Sequence, residues 1–194
     1  MLKDLWAASE KPSLEFNHQI HLREFVGEVI EKLAGNFAEK KITVENNIPD
    51  SLPPLMVDRP KFFRLFELLF KDEIVSLPAG SLVKLEASGN NGQVQIKISD
   101  NGPGVSKDAM ALVFDPFMLR ADTPTEYGIN LMACFFIVHH HGGKIEARND
   151  GQGTTFVLEL PTNPNQLPPV ADDDEFQQKV LLNDKVWEKL IATE

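Results

Sequence analysis

From Leu22 onward the apolar residues Phe25, Val26, Val29, Ile30, Leu33 and Phe37 recur at steps of three and four, the stripe of an amphipathic helix. ITVEN (42–46) follows as a short strand, and SLPPLMVD reads as a proline-rich connector. Asp58 and Pro60 then supply the start signals of a second helix through Phe62, Phe63, Leu65, Phe66, Leu69 and Phe70. SLVKLEAS and QVQIKIS alternate apolar and polar residues around NNG, which predicts a hairpin with Val94, Ile96 and Ile98 on one face. A third helix covers 128–141 and ends at Gly142 and Gly143; KIEARND and TTFVLEL then form a second hairpin across GQG.

The predicted order is helix, strand, helix, two strands, helix, two strands. Adjacent strands joined by hairpins, with helices that all need one covered sheet face, give an α/β (α+β) two-layer sandwich rather than a doubly wound fold. The core ends near Pro161. Residues 162–175, TNPNQLPPVADDDE, form an acidic, proline-bearing linker, and 176–194 place Val180, Leu181, Val186, Trp187, Leu190 and Ile191 as a short amphipathic helix.

Composition narrows this picture. A chain of 194 residues with 42% hydrophobic and 25% charged residues suits one domain with two tails. No apolar run approaches the roughly 20 residues needed to span a bilayer, so no membrane insertion of this chain is expected. The net charge of −10 argues against a nucleic-acid partner, since phosphate backbones are bound by clustered Lys and Arg. With one cysteine, Cys134 in the apolar run LMACFFIV, no internal disulfide can form, and a cytoplasmic setting is the default expectation. Cys134 reads as a packing residue.

The chemistry gathers at ISDNGPG (98–104), where an apolar strand breaks on a carboxylate followed by glycines. Such a loop suits a donor-bearing planar group such as an amino-substituted base, and a plain turn is the competing reading. FDPF (114–117), HGG (141–143) and GQGTTF (151–156) follow it in order. His139, His140 and His141 invite a metal reading, but consecutive helix positions point about 100° apart and do not converge.

With these motifs in register, the chain from about Phe16 to Pro161 resembles the ATP-binding domain of sensor histidine kinases. That family shares its Bergerat nucleotide site with the gyrase, chaperone and mismatch-repair ATPases. DNGPG resembles its first glycine box, FDPF its phenylalanine box and GQGTTF its last glycine box. The resemblance implies a mixed, mostly antiparallel sheet covered on one face by helices, with ATP and Mg²⁺ as ligands. It implies that Asp100 binds the adenine amino group, that Gly102, Gly104 and Gly128 let the backbone approach, and that Thr155 supports the base. Arg120 would meet a phosphate and Asp72 would hold magnesium, although Asp72 beside Lys71 also reads as a surface residue. Residues 1–15 resemble the end of a dimerisation helix and its linker. The partners implied are a phosphoacceptor segment and a response regulator of a two-component system. None of the five histidines stands in an HExxxP-like context, so autophosphorylation within this chain is not expected.

The sequence departs from the family on one side of the pocket. Asp72 stands where the family has a magnesium-binding asparagine, Leu68 where it has a second polar residue, and Val75 where it has a basic one. GxGLGL becomes EYGINL, with Glu126 and Asn130 in place of glycines. Glycines there let phosphates reach a helix start, whose N–H groups and dipole favour anions, whereas Glu126 repels them. The base-binding half is therefore expected to survive better than the phosphate half. The alternative is a degenerate regulatory or docking module with weak nucleotide binding or none.

Overall fold

The computed structural model describes residues 15–90, 92–105, 110, 113, 127–149 and 153–167. Among these, five strands form one mixed sheet in the order β2-β4-β5-β7-β6, from β2 (Thr43–Asn46), β4 (Leu82–Asn90), β5 (Gln93–Asp100), β6 (Lys144–Arg148) and β7 (Thr155–Pro161). Only β2 with β4 is parallel, and every other pairing is antiparallel. The period-two pattern decides the faces. Val94, Ile96 and Ile98 of β5 join Phe156, Leu158 and Leu160 of β7 in the core. The opposite face carries polar pairs such as Gln95 with Glu159 and Lys84 with Glu86.

The first apolar stripe forms two helices, α1 (Leu22–Lys32) and α2 (Ala34–Glu39), rather than the single helix its spacing predicts. Leu33 leaves the helical region at φ −100° and ψ 7°, and its N–H is shared between the Val29 and Ile30 carbonyls. Leu33 and Phe37 stay buried, so the stripe runs through a break that it cannot reveal. In α3 (Arg59–Ser76) the expected cap is present: the Asp58 carboxylate accepts from the Lys61 backbone N–H, and Pro60 occupies the first turn. Half of the helix's 18 residues are buried, between Phe62 and Glu73. Phe62, Phe66 and Phe70 run along it with neighbouring rings 5.3 and 6.2 Å apart, and Phe25 of α1 meets Phe62 at 5.5 Å.

The segment read as a proline-rich connector contains a strand, β3 (Leu55–Val57), paired antiparallel with β1 (His18–Ile20) in a separate two-stranded sheet. The Met56 N–H donates to the Thr162 carbonyl, and the Asn165 side-chain amide donates to the Phe16 carbonyl. The chain therefore enters and leaves the domain side by side. The last α-helix among the described residues, α4 (Tyr127–His140), packs on α3 and β6 and ends where Gly142 turns to φ +73°, whereas the helix expected over 176–194 lies outside the described residues. Gly143 N–H bonds the Val138 carbonyl and Gly142 N–H the His139 carbonyl, a Schellman cap. No helix among the described residues is long and apolar enough to cross a membrane.

Candidate functional site

Asp100 is the last residue of β5, and the sheet fixes it from three sides. Across the sheet it faces Val83 of β4, and its N–H donates to the Thr154 carbonyl at 3.0 Å. Oδ1 of its carboxylate accepts from the Gly102 N–H at 2.6 Å and Oδ2 from the Thr154 N–H at 2.8 Å. The side chain lies on the helix-covered face, as its alternation with Ile98 requires, and the residue is 9% exposed. Each oxygen retains a second acceptor direction, so the group can still receive a donor from a ligand but can offer none.

The glycines explain how the loop comes so close. A Cβ on Gly153, whose φ is +89°, would stand 2.2 Å from the Asp100 carbonyl oxygen and 2.6 Å from Oδ1. Only glycine fits there. Gly104, at φ +71°, lies under the Gly153 carbonyl, and a Cβ on Gly102 would stand 2.5 Å from a Leu77 methyl. Asn101 anchors the start of the loop: its side-chain oxygen accepts from the Leu82 N–H and its own N–H donates to the Leu82 carbonyl. Asn149, one residue past β6, meets the far end at Val105.

The two threonines of GQGTTF have opposite fates. Thr155 pairs with Ser99 in register and donates its hydroxyl to the Ser99 oxygen at 2.9 Å, on the sheet face turned away from Asp100. It is Thr154 that adjoins Asp100, through its main chain. Sequence reasoning passed over Thr154, Gly153, Asn149 and Leu77. The signal for Thr154 was the register itself, since Thr155 must share the face of Ser99.

On α3, Asp72 is 1% exposed, which corrects its reading as a surface residue. Its charge is felt by Cys134 of α4, the helix packed against α3. Burial first, and then the Asp72 charge, push the Cys134 thiol far above its ordinary range. Cys134 is buried and donates weakly to the Leu65 carbonyl. Leu68 is buried in the core, and Val75 is exposed. Gly128 lies in the first turn of α4. Arg120, Glu126 and the FDPF motif lie outside the described residues.

The three consecutive histidines go to separate partners. His139 stacks on Phe135 and His140 meets Phe136 edge-on. His141 is buried between Phe16 and Phe62; its Nδ1–H donates to the Ile137 carbonyl at 2.7 Å, and its Nε2 accepts from the Asp58 N–H at 3.3 Å. Burial holds the imidazole below its ordinary pKa, against the raising effect of the Ile137 carbonyl and the Asp58 charge.

Comparison with known proteins adds three findings. Residues 70–164 match the family described as histidine kinase-, DNA gyrase B-, and HSP90-like ATPase. Among curated proteins, the adaptive-response sensory kinase SasA of Synechococcus elongatus is 30% identical over 161 residues, covering 80% of this chain and 42% of the relative. SasA of Microcystis aeruginosa is 29% identical over 168 residues, covering 83% of this chain, which spans only 44% of that relative. Among solved structures, the nucleotide-free catalytic domain of histidine kinase ThkA aligns with a TM-score of 0.70 at 21% identity, covering 77% of this chain and 98% of that domain. Full-length ShkA in complex with AMPPNP aligns at 0.68 with 25% identity, over 82% of this chain and 33% of ShkA.

Proposed function

Since the chain carries an ATPase domain of the histidine kinase type, we propose that it binds ATP through the Asp100 wall and serves as the nucleotide-binding part of a two-component sensor kinase. The observation that carries this reading is the Asp100 carboxylate, fixed by the Gly102 and Thr154 N–H groups beside a loop in which Gly102 and Gly104 carry no side chain. An acceptor-only group at that position selects a base with an exocyclic amino group, and adenine has one. Gly102, Gly104 and Gly153 leave the backbone open to close approach.

Asp72 is the residue that would hold magnesium. It offers a hard carboxylate oxygen, and Mg²⁺ commonly binds one or two carboxylates together with substrate phosphates. The bound ion would neutralise charge developing on the transferred phosphoryl group. Among the described residues no cluster of three or more His, Cys, Asp or Glu could hold an ion unaided. The acceptor of the phosphoryl group would be a histidine on a dimerisation segment, and the later recipient a response regulator. ThkA, which shares the fold, has been solved in complex with the response regulator TrrA.

A second reading rests on Leu68 and Val75. Leu68 is core and Val75 is an exposed aliphatic side chain, so neither can supply the polar groups expected there. With Glu126 and Asn130 in the sequence where the family has glycines, phosphoryl transfer would be slow, and the domain would act as a regulatory or docking module. Calorimetric titration of the chain with ATP, ADP and AMP, each with and without Mg²⁺, separates the readings. Affinity that rises with phosphate number and with Mg²⁺ supports the kinase, whereas binding indifferent to both supports the module. An Asp100→Ala protein that binds ATP as well as the parent removes the nucleotide reading altogether.

A further inference from the structure

The Asn149 side chain reproduces both halves of a strand pairing. Its Oδ1 accepts from the Val105 N–H at 3.1 Å, and its Nδ2 donates to the Val105 carbonyl at 2.5 Å, across 44 positions of sequence. Among the described residues, the loop it reaches is also anchored by Asn101 on Leu82 of β4. Between these anchors lie Gly102 and Gly104, with no side chains of their own, and Gly104 sits in the left-handed region at φ +71°. A Cβ on Gly104 would stand 3.2 Å from Asn149 Oδ1 and 3.3 Å from the Gly153 carbonyl, so the loop passes under both.

Asn149 directly follows Arg148, which pairs with Thr155 at the start of β7. Thr154, the next residue back, holds the Asp100 carboxylate. The Asn149 side chain therefore ties the loop after β5 to the end of β6, which is itself paired with the start of β7 beside Asp100. Glycine at 102 and 104 gives close approach but raises the entropy of the loop, and a two-point clamp lowers it again.

Resting on the nucleotide-binding reading above, we infer that Asn149 is a positioning residue for the nucleotide, fixing the glycine loop at Val105 so that the base wall is formed before ligand arrives. It touches no reacting atom. Its effect passes through the loop backbone, so it acts on the base end and is blind to the number of phosphates. Pre-ordering of this kind raises affinity by removing an ordering cost from the binding step.

The experiment compares the full chain with its Asn149→Ala and Asn149→Ser variants. Calorimetry measures ATP, ADP and AMP affinity, and amide hydrogen exchange is read at Val105, Leu82 and Thr154. Loss of the two hydrogen bonds is expected to weaken all three nucleotides by the same factor, about tenfold or more. Val105 exchange should rise while Leu82 and Thr154 stay protected. Ser, which keeps one donor and one acceptor on a shorter arm, should recover part of the affinity. Unchanged affinity in Asn149→Ala overturns the inference and leaves the nucleotide reading standing. Exposure of all three amides overturns it too, because Asn149 then supports the fold as a whole. Absence of nucleotide binding by the parent chain overturns both.

Discussion

Replacing Asp100 by Asn tests the site without any ligand. The parent carboxylate accepts the Gly102 N–H at 2.6 Å with one oxygen and the Thr154 N–H at 2.8 Å with the other. An amide has one oxygen, so in either orientation its NH₂ must face a backbone N–H. One hydrogen bond to a charged acceptor is lost, which costs about 1.5 to 3 kcal/mol, and a poorly solvated N–H is left facing a donor, which adds to that loss. The neutral amide recovers part of this, because a largely buried charge no longer has to be desolvated. The net expectation is a loss of about 2 to 4 kcal/mol, a large share of the roughly 5 to 15 kcal/mol of a typical domain. At this chain length that lowers the melting temperature by about 5 to 15 °C. Urea unfolding followed by circular dichroism measures it, as a fall in midpoint at constant slope. A loss under about 0.5 kcal/mol would refute the reasoning, since a carboxylate gripped by two N–H groups cannot be exchanged for an amide so cheaply.

Three further outcomes follow from the same packing and hydrogen bonding. Gly153→Ala forces a methyl to within 2.2 Å of the Asp100 carbonyl oxygen at a positive φ; it should cost about 2 kcal/mol or more in urea unfolding and weaken nucleotide binding at temperatures where the protein is still folded. Burial holds His141 below its ordinary value of 6.5, so the unfolded chain takes up its proton first. The stability this gives is complete above about pH 6.5 and declines as pH falls through that value, and His141→Gln should flatten that part of a stability profile. Cys134, buried with its thiol pushed far up, should resist a thiol reagent in the native protein and react fully in urea.

The sequence discloses elements whose signals are local. Asp58 and Pro60 announce α3, and the alternation around NNG announces the β4–β5 hairpin with its faces correctly assigned. What depends on distant partners is hidden. β1 and β3 are three residues each, too short for a period to show, and exist because they pair with each other across the first two helices. The break at Leu33 is invisible because Leu33 and Phe37 continue the stripe on its far side. Asp100 and its glycines are legible as a loop, yet the choice between Thr154 and Thr155 turns on register, which a motif does not encode. Asn149 looks like any turn asparagine until Val105 is seen beside it. Asp72 beside Lys71 suggests a solvent face, but α3 packs on several sides and takes Asp72 inside.

The pairing of the incoming and outgoing chain has a mechanical consequence. Phe16 and Asn165 meet near the start of β5 and the end of β7, where Thr162 also holds Gly92. Asp100 lies at the opposite end of β5, which at about 3.3 Å per residue is about 25 Å away. A force delivered through the chain on both sides of the domain would therefore act on one corner, with Asp100 at the far end of β5. A turn of the domain by about 20° about that corner swings the far end through about 9 Å by the same strand geometry. A rotation about that corner would reach the site as travel, with no deformation of the sheet required between them.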